Sequence, residues 1–93
     1  MKEKKAQHII VKGMVQGVGY RLYCSKAAAE NGLSGSVKNL ENGDVEIFVQ
    51  GDRAKINNFI SEITRKDRSF NVVDIAIEDA SYDSGKKDFR ILY

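Results

Sequence analysis

The chain has 93 residues, of which 42% are hydrophobic and 30% are charged, a composition typical of one small globular domain with a single core. Its 15 basic and 13 acidic residues give a formal net charge of +2, far from the strongly basic balance of a dedicated nucleic-acid-binding protein. One cysteine and one histidine are too few for an internal disulfide or a zinc site, so we expect no structural metal. Neither a membrane-spanning apolar run of roughly 20 residues nor a signal peptide is present, so we expect a cytoplasmic protein without a membrane partner.

The first predicted element is a strand over residues 7–13, where β-branched residues cluster ahead of a glycine. We expect residues 1–6 to form a flexible N-terminal segment. The whole chain, residues 1–93, is then a single domain whose active site has to lie on the surface of one module.

A glycine-rich loop follows in the stretch V-K-G-M-V-Q-G-V-G-Y-R, from Val11 to Arg21. Gly13, Gly17 and Gly19 admit backbone conformations in which successive N–H groups turn into one concavity, which favours an anion. A helix that begins near Tyr20 adds its unpaired N–H groups and the positive end of its dipole. The loop is therefore a candidate phosphate cradle, and the alternative of a sharp turn without a ligand stays open on the loop alone.

The rest of the chain alternates between helical and strand periodicities. The predicted elements are, in order, a helix over 20–31, a strand over 33–40, an Asn-Gly turn, a strand over 45–50 that Gly51 ends, a helix capped by Asp52, a strand over 73–80 and a strand over 89–93. A β-α-β-β-α-β order with a short extra strand favours an antiparallel sheet of four or five strands with both helices on one face. This is the α+β, ferredoxin-like architecture, which hosts many unrelated functions.

Two familiar nucleotide motifs do not fit the loop. The stretch from Gly17 to Gly19 begins a G-x-G-x-x-G pattern, but Leu22 stands where the third glycine belongs. The Lys-Ser/Thr ending of a nucleotide-binding P-loop is also missing, since Arg21 is followed by Leu22. The loop is therefore expected to hold a single phosphate group.

Two polar side chains accompany the loop. Arg21 lies at its mouth, where a guanidinium makes strong bidentate contacts with phosphate, although an ion pair with Glu30 or Asp44 is the alternative. Asn39 shares a predicted strand face with Val37, and asparagine is rare in strands. Its amide either holds a water molecule in line with a bound phosphorus or makes a local hydrogen bond at the turn.

Other reactive or binding residue types have simpler explanations. His8 lacks a nucleophilic partner in the predicted strand, and Cys24 falls on the inward helix face as a buried, inert thiol. Tyr20 and Tyr23 are expected to pack under the loop. The stretch D-V-E-I-F-V-Q-G lacks the Lys/Arg-Gly-aromatic signature of the RNA-recognition module of the same topology and offers only Phe48 for stacking, so we expect no nucleic-acid partner.

The stretch from Val11 to Arg21, followed by G-S-V-K-N-L-E-N-G-D-V-E-I-F-V-Q-G from Gly35 to Gly51, resembles the paired signature of the acylphosphatases. The resemblance extends over nearly the whole chain, including the F-R-I-L-Y ending. It implies a ferredoxin-like enzyme that hydrolyses the carboxyl-phosphate bond of small-molecule acyl phosphates without a metal or cofactor. On the family pattern Arg21 binds the phosphate, Asn39 orients the attacking water and no phosphoenzyme forms. The backbone cradle then comprises Val15, Gln16, Gly17, Val18, Gly19 and Tyr20.

Ser36 departs from the family pattern, which usually has a large aromatic residue at this position. We expect the absence of this aromatic residue to remove an apolar platform beside the site.

One alternative function is a non-catalytic anion-binding module, and another is a carbamoyl-phosphate-handling domain like the N-terminal one of hydrogenase-maturation carbamoyl-transfer proteins. We further expect a monomer that inorganic phosphate, the product, inhibits competitively.

Overall fold

The computed structural model describes residues 3–93 of the chain. The predicted order of helices and strands is confirmed, with most bounds shifted by a few residues. The elements are β1 (Lys4–Met14), α1 (Tyr20–Glu30), β2 (Ser34–Asn39), β3 (Val45–Asp52), α2 (Arg53–Ile63), β4 (Asn71–Asp79) and β5 (Phe89–Leu92).

The strands form one five-stranded sheet in the order β4-β1-β3-β2-β5. Neighbouring strands are antiparallel except for β5, which runs parallel to β2 at the edge. The prediction of a wholly antiparallel sheet is therefore wrong at this edge. A parallel pair needs a long crossover connection, and the chain between β2 and β5 supplies β3, α2 and β4.

The core lies between the sheet and the two helices. Ile9 of β1 is opposite Ile47 of β3, and Val11 is opposite Val45, so these fully buried side chains share one face of the sheet. Against that face pack the buried residues of the helices, which are Tyr20, Cys24, Ala27, Ala28, Ile56, Phe59 and Ile63. Both helices thus cover one face, as predicted, which gives the two layers of a ferredoxin-like fold.

The first strand begins earlier than the sequence predicts. Lys4 pairs with Asp52 and Ala6 pairs with Gln50, and Ala6 is only 4% exposed. Residues 4–6 therefore belong to the sheet and not to a flexible segment, because β3 is long enough to pair with them. Residues 1 and 2 lie outside the described part of the chain.

The third strand also continues further than predicted, because Gly51 does not end it. Gly51 pairs with Lys5 at a φ of 150°, and a Cβ there would lie 2.6 Å from Leu33 Cδ2. The glycine thus leaves room for the Leu33 side chain and adopts a positive φ that would strain any other residue. Asp52 then caps α2 as predicted, its Oδ1 accepting a hydrogen bond from Ala54 N at 3.0 Å.

Candidate active site

A loop of residues 15–19, which we call the glycine loop, connects β1 to α1. Gly17 and Gly19 adopt left-handed backbone conformations with φ of 73° and 78°. In the described chain, no backbone N–H group of residues 16–22 donates a hydrogen bond to a protein acceptor. The start of α1 has no side-chain cap and no acidic residue in its first turn. A run of free donors thus meets the positive end of a helix, an arrangement that favours an anion.

Gly13 does not contribute to this concavity, although the sequence grouped it with the other two glycines. It lies inside β1 at a bulge between Lys12 and Gly13, where the pairing with β4 shifts by one residue. A Cβ at this position would collide with the backbone oxygen of Asn71. Gly13 therefore serves the close approach of two strands and bends β1 where the chain leaves the sheet.

The guanidinium of Arg21 is held by the C-terminal end of the described chain. Its Nη1 donates a hydrogen bond to Leu92 O at 2.8 Å, and its Cζ lies 4.7 Å from the ring centroid of Tyr93. Among the described residues Arg21 forms no ion pair with Glu30 or Asp44, and Asp44 instead pairs with Lys12 at 2.8 Å. The remaining N–H donors of Arg21 have no protein partner in the described chain, so they are available to a ligand.

Asn39 is the last residue of β2 and lies opposite Val45. Its Oδ1 is buried and has no hydrogen-bond partner in the described part of the protein. The turn that follows is closed by other groups, with Leu40 N donating to Asp44 O at 2.9 Å and Asp44 N donating to Asn42 Oδ1 at 3.0 Å. Because leaving a buried acceptor unpaired costs about 1–3 kcal/mol, the Asn39 amide is suited to a bound water or ligand.

These groups meet in one cleft of about 240 Å³, the site cleft. It combines parts of the glycine loop, α1, β2 and the C-terminal end, and its lining residues are Val15, Gly17, Gly19, Tyr20, Arg21, Leu22, Asn39, Ile91 and Tyr93. The structure thus brings Arg21 and Asn39 together with the two loop glycines. Of the other predicted cradle residues, Val18 is exposed, and Gln16 turns its side chain toward Leu40 and Asp44.

The cleft also contains three apolar residues that the sequence patterns did not indicate, namely Leu22, Ile91 and Tyr93. Leu22 is 59% exposed on the outer side of α1, and Tyr93 is 95% exposed beyond β5. The signal available for Ile91 and Tyr93 was the alternating pattern of the last predicted strand. That pattern indicates a shared face but does not tell which part of the protein the face covers.

Ser36 does not lie beside the site, and the expectation that it does is wrong. It is opposite Phe48 on the face of the sheet that the helices leave open, whereas Asn39 shares the other face with Val37. Ser36 lines a separate cleft together with Lys86 and Arg90. The alternation of side chains along β2 separates position 36 from the site cleft.

Burial suppresses ionisation of the two reactive groups on α1. Burial raises the pKa of the Cys24 thiol to about 12, and it raises the pKa of Tyr20 well above its ordinary value. Tyr20 donates a hydrogen bond from its hydroxyl to Ile63 O at 2.8 Å, and Tyr23 donates one to Glu62 O at 3.0 Å. Both tyrosines therefore anchor the start of α1 to the end of α2, and Cys24 is a buried thiol as predicted.

The described residues 3–93 were searched for metal-ligating groups and for membrane-spanning helices. They contain no group of three or more metal-ligating side chains placed to hold an ion. None of their helices is both long and apolar enough to cross a bilayer.

His8 lies away from the site cleft, on the open face of the sheet, with its Nε2 at 2.9 Å from Glu46 Oε2.

The fold and the site cleft together define a class of small α+β domains in which a loop with free backbone N–H groups follows the first strand. The model of the acylphosphatase family matches residues 7–91, so the chain belongs to the acylphosphatase family. An acylphosphatase of Chlorobaculum tepidum is 38% identical over 92 residues, which are 99% of either chain. The crystal structure of the acylphosphatase from Bacillus subtilis matches with a TM-score of 0.89 and 32% identity, covering 98% of this chain and 100% of that one.

The chain is also similar to one part of a much larger protein. The match to HypF from T. kodakarensis has a TM-score of 0.84 and 32% identity, and it covers 96% of this chain but only 12% of that one. The same fold and related sequence thus occur as a segment of a longer chain.

Proposed function

We propose that this protein is an acylphosphatase, which hydrolyses the carboxyl-phosphate bond of small-molecule acyl phosphates to a carboxylate and inorganic phosphate. One observation carries the proposal: Arg21 and Asn39 line the same cleft as Gly17 and Gly19, whose backbone N–H groups have no protein acceptor in the described chain. The Oδ1 of Asn39 is buried and has no hydrogen-bond partner among the described residues. An anion site and a group able to orient water thus lie together. The family membership of the chain supports the same reaction.

The backbone from Val15 to Tyr20 and the guanidinium of Arg21 bind the phosphoryl group in this proposal. Backbone N–H groups and a cationic fork stabilise negative charge on the phosphoryl oxygens as the bond to the leaving group stretches. The hydrogen bond from Arg21 to Leu92 O fixes the guanidinium before substrate arrives. Such fixed donors need little reorganisation during the reaction.

Asn39 orients the nucleophile. Its Oδ1 accepts a hydrogen bond from a water molecule and directs a water lone pair at the phosphorus, in line with the bond to the acyl oxygen. The water oxygen bonds to phosphorus, the bond from phosphorus to the acyl oxygen breaks, and the carboxylate leaves with that electron pair. Both water protons remain with the phosphate product or pass to solvent, since a neutral amide does not act as a base. No phosphoenzyme forms.

The rate acceleration that the reaction requires is consistent with this small set of groups. Phosphate monoester hydrolysis demands up to ~10²¹-fold acceleration, whereas a mixed anhydride has a carboxylate leaving group and demands far less. An oxyanion-hole donor typically contributes about 10²- to 10³-fold. A cradle, one arginine and one water-orienting amide therefore suit an acyl phosphate better than a monoester.

Turnover of benzoyl phosphate tests the proposed activity. We expect hydrolysis well above the buffer rate and competitive inhibition by inorganic phosphate, because the product occupies the same cleft. An enzyme rate equal to the buffer rate would contradict the proposal. Phosphate binding measured by calorimetry in the absence of turnover would instead favour a non-catalytic anion-binding module.

Carbamoyl phosphate, the alternative that the sequence resemblance offers, is a second candidate substrate. Carbamoyl phosphate has the same phosphoryl group on a much smaller acyl portion, so it fits the same backbone donors. A comparison of kcat/KM for carbamoyl phosphate and benzoyl phosphate distinguishes the two. We also propose that the protein acts as a cytoplasmic monomer without a nucleic-acid partner, and size-exclusion chromatography at assay concentration tests the monomer.

A further inference from the structure

The side chain of Gln16 leaves the site cleft and binds a different part of the protein. Its Nε2 donates hydrogen bonds to Leu40 O at 2.8 Å and to Asp44 O at 2.7 Å. A primary amide has two N–H donors, so both are engaged. The two carbonyl groups belong to the turn between β2 and β3, which begins directly after Asn39.

This turn is closed by hydrogen bonds of its own. Leu40 N donates to Asp44 O at 2.9 Å, and Gly43 N donates to Leu40 O at 3.2 Å. The carboxylate of Asp44 accepts hydrogen bonds from Lys12 Nζ at 2.8 Å and Asn42 Nδ2 at 3.1 Å. Gln16 therefore connects the glycine loop to a rigid turn, because the carbonyl oxygens of Leu40 and Asp44 that it binds also accept hydrogen bonds within the turn.

We propose that Gln16 is a positioning residue that sets the distance between the glycine loop and Asn39. The inference rests on the acylphosphatase activity proposed above. In that reaction the loop fixes the phosphorus, Asn39 fixes the attacking water, and the two must be in line. A displacement of about 1 Å in such an arrangement can lower the rate by about 10²-fold. The side chain of Gln16 links the loop directly to the turn after Asn39.

The variant Gln16→Met tests this role, since methionine has a similar length and no N–H donor. We expect kcat for benzoyl phosphate to fall about tenfold or more, with KM and the Ki for inorganic phosphate within about twofold of wild type. Binding persists because the backbone donors and Arg21 remain. In an Asn39→Ala background the same substitution should change kcat by less than about twofold, because no oriented water remains to be displaced.

Gln50→Met is the matched control. Gln50 also makes two hydrogen bonds to backbone, donating to Asp83 O at 2.7 Å and accepting from Asp83 N at 2.8 Å, but it lies far from the site cleft. We expect lower stability with kcat unchanged. An equal loss of kcat from Gln16→Met with and without Asn39, or a raised phosphate Ki with kcat unchanged, would overturn the inference.

A second readout does not depend on turnover. The side-chain amide resonances of Asn39 in phosphate-saturated protein should shift in Gln16→Met and stay in place in Gln50→Met. Unchanged Asn39 resonances in Gln16→Met would also overturn the inference. An inactive wild type would overturn the proposed function, and the resonances would still decide whether Gln16 positions Asn39.

Discussion

At the scale of single residues, the left-handed conformation of Gly19 is what joins the loop to α1. Its φ is 78° and no atom lies within 4 Å of a Cβ built on it, so a side chain meets backbone strain but no steric collision. We expect Gly19→Ala to lower the free energy of unfolding by about 1–2 kcal/mol, the cost of a non-glycine residue in this conformation. Relief of that strain turns the N–H groups at the start of α1, so the Ki for inorganic phosphate should rise. Urea unfolding and phosphate inhibition measure the two effects.

Gly32→Ala provides a control for this prediction. Gly32 follows α1 with a φ of 65° and also has open space around its Cβ position. Its strain is therefore of the same kind, but it lies at the opposite end of the helix from the phosphate donors. We expect a similar loss of stability with an unchanged phosphate Ki. Equal Ki values in the two variants would argue against the role of the Gly19 conformation in binding.

At the scale of elements, the alternating side chains of β2 place the site residue Asn39 and position 36 on opposite faces of the sheet. Val37 and Asn39 are directed to the helix side, whereas Ser36 lies opposite Phe48 on the open face. An aromatic residue at position 36 would thus pair with Phe48 across the strands. We expect Ser36→Phe to raise the free energy of unfolding by about 0.5–1.5 kcal/mol, the range for aromatic pairs.

The kinetics of the same variant test the separation of the two faces. Because position 36 is not part of the site cleft, kcat and KM for benzoyl phosphate should stay at their wild-type values. Denaturant unfolding measures the stability of Ser36→Phe, and steady-state assays measure its kcat and KM. A clear change in kcat of the folded variant would show that the open face of β2 influences the reaction.

At the scale of the whole molecule, local patterns in the sequence predicted both helices, the order of helices and strands along the chain, and the burial of Cys24 on the first helix. They predicted the left-handed glycines of the loop as well, since that requirement is local. The direction and place of β5 in the sheet were not predictable, because a parallel edge pair depends on the route of the intervening chain. The contacts of Gln16 with Leu40 and Asp44 span 24 and 28 positions, so no local pattern reveals them. Arg21 and Tyr93 meet for the same non-local reason.

We propose that the whole fold brings a phosphate cradle and a water-orienting amide into one cleft. Asn39→Ala tests it most directly, through kcat for benzoyl phosphate and the Ki of inorganic phosphate measured on the same preparation. We predict that kcat falls by about 10²-fold or more while Ki changes by less than about threefold, because the amide acts on the water and the backbone donors hold the phosphate. A wild-type kcat in Asn39→Ala, or a large rise in Ki that accounts for the loss of activity, would contradict the account.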